Sequence, residues 1–415
     1  MKGRIGWQGL KANEFIDEGP YLVTGTDFYN GSVNWNTCYH ISEERYNEAP
    51  EIHVQNGDIL ITKDGTIGKL AYIKNKPEKV SLNSHLLILR PLSKDIENRY
   101  IYFALQSPAF EHYTGLVQSG TTMSSLSQEK IGNYKLALPS LLEQLHIAIF
   151  LDEKCKDIDT LITLQEEMIA ELQAYKQSVI SEAVTKGLNP NVPMKDSGVK
   201  WIGEIPSEWN ACKTLYILSM PITDGPHTTP TLYKTGVPFV SAEAVSTGKG
   251  KINFDRIRGY ISEEFYQECC KKYIPQINDI FMIKSGATTG RVSIVDTDKK
   301  FTIWSPLAVF RCNTLVMKPQ YLFYALQSNG YQKQIELGWS FGTQQNIGMR
   351  TLEQLVLTVP PLSEQQAIAD YLDTKCAQID ELIALKQQKI TELQDYKKSL
   401  IYEYVTGKKE VPANN

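Results

Sequence analysis

Half of this sequence is a second version of the other half, and that duplication restricts the possible folds more than any local motif does. "YIYFALQS" at 100–107 returns as "YLFYALQS" at 321–328, and "FLDEKCKDIDTLI" at 150–162 returns as "YLDTKCAQIDELI" at 371–383, each displaced by 221 residues. "ISEERY" at 41–46 matches "ISEEFY" at 261–266. "GDILITKDGTIGKLAYI" at 57–73 matches "NDIFMIKSGATTGRVSIV" at 278–295, with one extra residue in the loop. A repeat of this length is a duplicated half-chain rather than a solenoid unit, and 415 residues exceed one ordinary core.

Each half has two parts. The first, 1–139 and 210–360, is rich in β-branched and aromatic residues and broken by Gly, Asn, Asp and Pro. "PYLVTG", "DILITK", "KLAYI" and "HLLILRP" read as short strands and the ALQS segments as short helices, giving a compact mixed α/β domain. The second part, 140–187 and 361–407, reads as one long helix. In the first copy Ser140-x-x-Glu143 is a capping-box pattern after Pro139, and no glycine follows before Gly187. Ile158, Leu161, Ile162, Met168, Ile169, Leu172, Tyr175 and Val179 form an apolar stripe, matched by Ile379, Leu382, Ile383, Ile390, Leu393, Tyr396 and Leu400. Forty such residues span about 60 Å at ~1.5 Å each. A helix that buries only a stripe needs a partner, so the two are expected to pair as an antiparallel coiled coil. The expected fold class is α+β: two similar mixed α/β domains separated by two long antiparallel coiled-coil helices, pseudo-twofold, with the domains at opposite ends of a rod. Gln165 and Lys386 interrupt the stripe at matching positions, which fits register control or a face kept for partners. Residues 188–209, dense in Pro and Gly, read as a connector and 408–415 as a tail.

Motifs for chemistry are missing. A phosphate loop needs G-x-x-x-x-G-K-[ST]; "GTIGKL" has two residues between its glycines and Leu after Lys, and "GATTGRV" has three, then Arg and Val. Both run into another strand-like segment instead of a helix, so glycines at 65 and 68 are expected to shape a turn between strands. No HExxH, G-x-S-x-G, paired Cys/His spacing or glycine-rich cofactor fingerprint occurs, and the six histidines are scattered. No metal site, resident cofactor or catalytic residue is therefore expected. Seven cysteines without C-x-x-C spacing, no apolar run of membrane length and no signal-like N-terminus fit a cytoplasmic protein with reduced thiols. The net charge of −4 excludes a general nucleic-acid coat, but not a reader with local basic patches.

Duplication without chemistry points to binding. Candidate DNA contacts in the first half are Arg4 and Trp7 among glycines, Lys63 and Thr66 in the turn, and Ser119, Gly120, Thr121 and Thr122 in "QSGTTMSSLS". In the second half they are Asp224, His227, Thr228 and Thr229 in "DGPHTTP", Lys284, Ser285, Thr288 and Thr289 in the matching turn, and Gly342, Thr343, Gln344 and Gln345 in "SFGTQQNIG". Small side chains with open backbone donors suit phosphates, and Arg or Gln forks suit base edges. Equivalent loops with unequal residues, Lys63-Asp64 against Lys284-Ser285 and Thr122-Met123 against Gln344-Gln345, suit two readers of two different half-sites.

These features converge on a resemblance. "LPSLLEQ" and "VPPLSEQ" head the helices, "IDTLI" and "IDELI" lie within them, "YKQSVISEAVTKG" and "YKKSLIYEYVTGK" end them, and "KDSGVKWIGEIPSEW" stands at 195–209. Over nearly its whole length the chain resembles the specificity subunit of type I restriction-modification systems. The resemblance implies two target-recognition domains, each reading half of a bipartite double-stranded DNA site, spaced by the helical regions. It also implies docking of two modification subunits, which carry S-adenosylmethionine and methylate adenine N6, and of restriction subunits that use ATP and Mg. The expected partner contacts are repeat-matched polar residues of the helices: Gln144 with Gln365, Asp157 with Gln378, Gln165 with Lys386, and Gln173 with Gln394. The alternatives are a protein–protein adaptor and the specificity subunit of a type IIB-like enzyme. One departure stands out: the first half begins at "MKGRIGWQGL" without a copy of "KDSGVKWIGEIPSEW". The first domain is expected to lack an opening strand, to be trimmed, or to borrow support from the C-terminus.

Overall fold

Alternation along the central strands decides where the cores lie. In a computed structural model, which describes residues 2–6, 10–117, 125–341 and 345–412, the chain forms two compact units. Unit 1 comprises 1–167 with 386–415, and unit 2 comprises 168–385. In unit 1 the strands Lys2–Ile5, Leu86–Arg90, Ile59–Thr62 and Leu70–Tyr72 lie in that order in an antiparallel sheet. Ile59, Ile61, Leu87 and Leu89 face one core, while Leu60, Leu86 and Ile88 face another. Strands covered on both faces read as unbroken apolar runs, which is why "ILI" and "LLIL" show no polar alternation. Unit 2 repeats the sheet with Thr223–Asp224, Leu307–Phe310, Ile280–Ile283 and Val292–Ile294. There Ile280, Met282, Ala308 and Phe310 take one side and Phe281, Ile283, Leu307 and Val309 the other. A second, three-stranded sheet in each unit has one antiparallel and one parallel neighbour around Ile16–Val23 or Val237–Val240.

The long helices are α1, Leu141–Lys186, and α2, Leu362–Val405. Ser140 Oγ accepts the Glu143 N–H at 3.3 Å, the forward half of the capping box. In unit 1 the first part of α1 packs antiparallel on the last part of α2, with Lys397 Nζ 2.7 Å from Asp159 and Lys386 Nζ donating to Gln165 Oε1 at 3.3 Å. In unit 2 the remaining parts pair through Lys176 and Asp380 at 2.6 Å. Asp159–Lys397 and Asp380–Lys176 are the same pair in the repeat, with the helix carrying each partner exchanged. The shielded positions are narrower than the stripe read from sequence. Ile158, Ile162, Gln165, Ile169, Leu172, Lys176 and Val179 alternate at four and three residues and are at least half-buried, as a two-helix seam requires. Leu161, Met168, Tyr175, Leu382 and Tyr396, assigned above to that stripe, are exposed instead.

Two expected partner contacts are spent inside the fold. Gln144 is buried; its Nε2 donates to the carbonyls of Pro139 at 2.8 Å and Asp95 at 3.1 Å, and its Oε1 accepts Glu97 N–H at 2.9 Å. Gln365 repeats the arrangement with Pro360, Val316 and Lys318. A buried amide with its hydrogen bonds met has nothing to offer a partner, so both residues pin a helix start to the domain beside it. Tyr100 and Tyr321 do the same for the helix ends: Tyr100 Oη lies 2.8 Å from Ala137 O and 3.0 Å from Val405 O, and Tyr321 Oη lies 3.3 Å from Thr358 O and 3.2 Å from Val184 O. Each unit thus uses the start of one long helix and the end of the other. The expected support of the first domain from C-terminal residues is realised in Leu400, Ile401, Tyr404 and Val405. Among the described residues no helix is long and apolar enough to cross a membrane.

Candidate nucleic-acid interface

The turn after the central strand is tied down from within and from both sides. In unit 1, Thr62 Oγ1 donates to the Thr66 carbonyl at 2.5 Å and accepts Lys69 N–H at 3.0 Å. Gly65 and Gly68 sit at φ 71° and 84°, which makes the glycine pair a requirement of turn shape. Lys63 N–H donates to His85 O at 2.9 Å and Leu126 N–H donates to Lys63 O at 2.8 Å, while Asp64 bridges to Ser125. Unit 2 keeps the scaffold: Lys284 N–H donates to Pro306 O, Ile347 N–H to Lys284 O and Gly286 N–H to Gln345 O. Its Ser285 Oγ donates to Asn346 Oδ1 at 2.8 Å.

The loop after the first strand emerges beside this turn through a second glycine pair. A Cβ on Gly6 would stand 2.0 Å from Asn83 O, and one on Gly225 would stand 2.0 Å from Ile303 O. Only glycine allows the backbones to pass so closely. The main chain is therefore shared between the units, and the side chains it presents differ. Asp64, 3.1 Å from Lys63 Nζ and 3.2 Å from His85 Nδ1, belongs to unit 1; Ser285, Pro306 and Asn346 take the corresponding positions in unit 2.

The expected contacts divide accordingly. Thr66, His227, Thr228, Thr229 and Gln345 are exposed, and Ser285, Thr288 and Thr289 are half-exposed on the unit 2 turn. Arg4 lies in the edge strand, paired with Ile88. Trp7, Ser119, Gly120, Thr121, Thr122, Gly342, Thr343 and Gln344 lie outside the described residues. Asp224 and Lys284 are corrected: both are buried, and they are partners of each other at 3.4 Å. Asp224 also holds Lys272 and stands 3.1 Å from His227 Nε2. A buried carboxylate must keep cations to offset its desolvation, so Asp224 shapes the loop and its neighbours instead of meeting DNA. Burial pushes the Asp224 carboxyl up, but Lys272, Lys284 and His227 outweigh it and hold it below the ordinary value. A lowered folded pKa gives stability that is present above the usual carboxylate value near ~3.9 and lost as pH falls through the folded one. Thermal melts of Lys272→Met are expected to show a midpoint about 2–4 °C lower at pH 7 and a shallower acid decline than the parent. Sequence reading missed His85, Ser125, Lys272, Asn346 and the Gly6/Gly225 pair. Only the glycines left a signal, as the one shared feature of two otherwise unlike loops.

The comparisons with known proteins show the same duplication of the chain. The family described as type I restriction modification DNA specificity domain matches residues 8–174 and again 226–395. The chain belongs to that family. This specificity subunit is 27% identical over 411 residues to the chain assigned as the MjaX type I restriction enzyme specificity subunit of Methanocaldococcus jannaschii, covering 96% of this chain and 90% of the relative. It is 25% identical over 362 residues to the MjaVIII specificity subunit of the same organism, covering 86% and 80%. It also shares its fold, at TM-score 0.65 and 18% identity, with a chain solved in work on complex assembly and conformational transition of the type I R-M system, covering 86% and 83%. The specificity subunit is a non-catalytic component that supplies DNA sequence specificity to a restriction-modification complex. Among the described residues, no cluster of three His, Cys, Asp or Glu side chains could hold a metal ion.

Proposed function

We propose that each unit of this specificity subunit reads one half of a bipartite double-stranded DNA site, and that the chain directs adenine-N6 methylation there. The observation that carries this reading is the shared main chain of the two loop sets with unlike side chains: Asp64, His85 and Ser125 against Ser285, Pro306 and Asn346. One scaffold with two side-chain sets suits two different half-sites. The proposed direct contacts are Arg4, Trp7, Lys63, Thr66 and Ser119–Thr122 in unit 1, and His227–Thr229, Ser285, Thr288, Thr289 and Gly342–Gln345 in unit 2.

The proposed partners are two modification subunits carrying S-adenosylmethionine, joined in the full complex by restriction subunits using ATP and Mg, all in the cytoplasm. Two copies are supported by a repeated helical surface. Unit 1 exposes Leu161, Leu164 and Tyr396 and unit 2 exposes their counterparts Leu382, Leu385 and Tyr175. Exposed Asp157 and Gln394 in unit 1 correspond to Gln378 and Gln173 in unit 2. Apolar groups ringed by polar ones are the ordinary make-up of a protein interface. The test is co-expression with the cognate modification subunit, followed by single-molecule mapping of methylated adenines. Methylation is expected at a bipartite motif with a fixed gap, and exchange of residues 210–360 for another recognition domain should rewrite one half of it. Methylation without a gapped motif, or a change in both halves, would refute the reading.

A further inference from the structure

The loop that carries His227, Thr228 and Thr229 is fastened at both ends beside one arginine. At its start, a Cβ added to Gly225 would stand 2.0 Å from Ile303 O and 2.7 Å from the Trp304 carbonyl carbon. At its end, Tyr233 N–H donates to Tyr260 O at 2.8 Å, and Tyr260 N–H donates to Tyr233 O at 3.3 Å. Arg258 meets both anchors. Its backbone N–H donates to Phe239 O at 3.3 Å, and the Gly259 that follows it lies against Leu232, where an added Cβ would stand 3.4 Å from the leucine Cβ. Its guanidinium lies over the Trp304 ring, 4.0 Å from the centroid.

Arg258 is exposed, yet its side chain is placed before any ligand arrives. Arg256 pairs with Glu243 at 3.7 Å, whereas Arg258 has no carboxylate partner among the described residues. A guanidinium resting on an aromatic face gives up only its flat side; the N–H donors around its edge stay open. The stack also restricts rotamers that binding would otherwise have to freeze. Trp304 contributes its ring: Nε1 is buried without a partner among the described residues, and the ring lies 6.3 Å from that of Phe239 between centroids. Unit 1 has no such pair. Asn83 N–H donates to Val23 O as Trp304 N–H donates to Val240 O, and Leu22 pairs with Tyr39 as Phe239 pairs with Gly259. Asn83 and the buried Cys38 therefore hold the places of Trp304 and Arg258.

We propose that Arg258, held in place by Trp304, reads a guanine in the unit 2 half-site, donating two N–H bonds to its O6 and N7 in the major groove. The inference rests on the DNA-reading function proposed above and gives that half-site a required G·C pair. Guanine presents two adjacent acceptors on its major-groove edge, which a two-pronged cation fits. A mobile point charge serves a phosphate, whose contact is blind to sequence; a fork fixed in orientation before binding suits a directional pair of acceptors. Trp304 is a positioning residue, since its ring meets the arginine and not the base. With Cys38 and Asn83 in the matching places, the requirement belongs to the unit 2 half alone.

The test uses the full chain co-expressed with its cognate modification subunit. Methylated adenines are mapped, and affinities are measured by fluorescence anisotropy on duplexes with and without the guanine. The half-motif that changes on exchange of residues 210–360 should contain an invariant G·C pair. Loss of that guanine should weaken the parent complex by about 5–150-fold. Arg258→Gln should bind both duplexes alike and relax that one position, with the rest of the motif unchanged. Trp304→Leu should lower the guanine preference by about 2–5-fold, the worth of the stack, and Trp304→Phe should keep it. A unit 2 half without a required G·C pair, or a guanine preference that survives Arg258→Gln, would overturn the proposal. So would an equal loss on every duplex with a salt slope shallower by about one, the mark of a phosphate contact. A methylated sequence without a gap would instead refute the two-reader function, and the comparison of duplexes on that sequence would still decide the role of Arg258. Should Arg258→Gln fail to fold, Arg258→Met takes its place.

Discussion

Replacing Arg311 by methionine is expected to destabilise unit 2 by about 3–5 kcal/mol, the cost of stranding a buried charge. Asp279 is 1% exposed, and both its oxygens are engaged by Arg311, Nε on Oδ1 and Nη2 on Oδ2, each at 2.7 Å. The same guanidinium donates to Ile274 O at 2.9 Å, and Tyr273 adds its hydroxyl to the carboxylate. Burial, with Asp279 beside it, pushes the Tyr273 phenol far up, so it stays a donor throughout the working pH range. Without Arg311 the carboxylate keeps only that phenol and the Gln276 N–H at 2.8 Å. Urea unfolding monitored by hydrogen exchange within 279–311 should report the loss. Arg90→Met should do the same in unit 1, because Arg90 holds Asp58 with the same two 2.7 Å bonds and donates to His53 O at 3.0 Å. Replacing both partners, Asp279→Leu with Arg311→Met, should cost less than the single change, since no charge is left unpaired. A single variant within about 1 kcal/mol of the parent would show that water reaches Asp279 and that the pair is not part of the core.

The duplication makes most of this fold legible in the sequence. Helix limits of 140–187 and 361–407 fell within two residues of Leu141–Lys186 and Leu362–Val405, because glycine and proline bracket both helices. The turn at 63–69 was recognisable because a phosphate loop demands a spacing these glycines lack. Burial was harder to read. Leu161 and Ile162 are adjacent, and spacings of three, four and seven fit two neighbouring rows on a helix; Lys176 and Lys397, which occupy the shielded row, disguised which one was the seam. Whether a charge is paired depends on strands far apart in sequence. Asp224 meets Lys272 and Lys284, and Asp64 meets His85, through neighbours that only the sheet order creates. Gln144 and Gln365 looked like partner contacts because the repeat keeps them, yet the backbone groups they satisfy carry no sequence signature at all.

The same reasoning makes Gly225 the most sensitive position for half-site reading. A valine there would drive its Cβ to within 2.0 Å of Ile303 O and 2.7 Å of the Trp304 carbonyl carbon. Both are main-chain atoms of a segment whose Thr302–Ile303 pairs in parallel with Phe239–Val240, so no side chain can swing aside. The first strand must back away from its neighbour, carrying His227, Thr228 and Thr229 with it. Overpacking of this kind costs about 1–3 kcal/mol of stability. On the proposed DNA-reading function, displacing one well-formed base contact costs a further ~1–3 kcal/mol, or about 5–150-fold in affinity for the unit 2 half-site. Mapped methylation should then relax at one half of the motif and stay strict at the other, and Gly6→Val should exchange the two halves. The slope of log K against log salt should stay that of the parent, because no phosphate-neutralising charge has been removed. Loss of specificity at both halves together would mean that the glycine supports the whole chain and not one reader. An unchanged motif would mean that the loop after the first strand does not reach the bases.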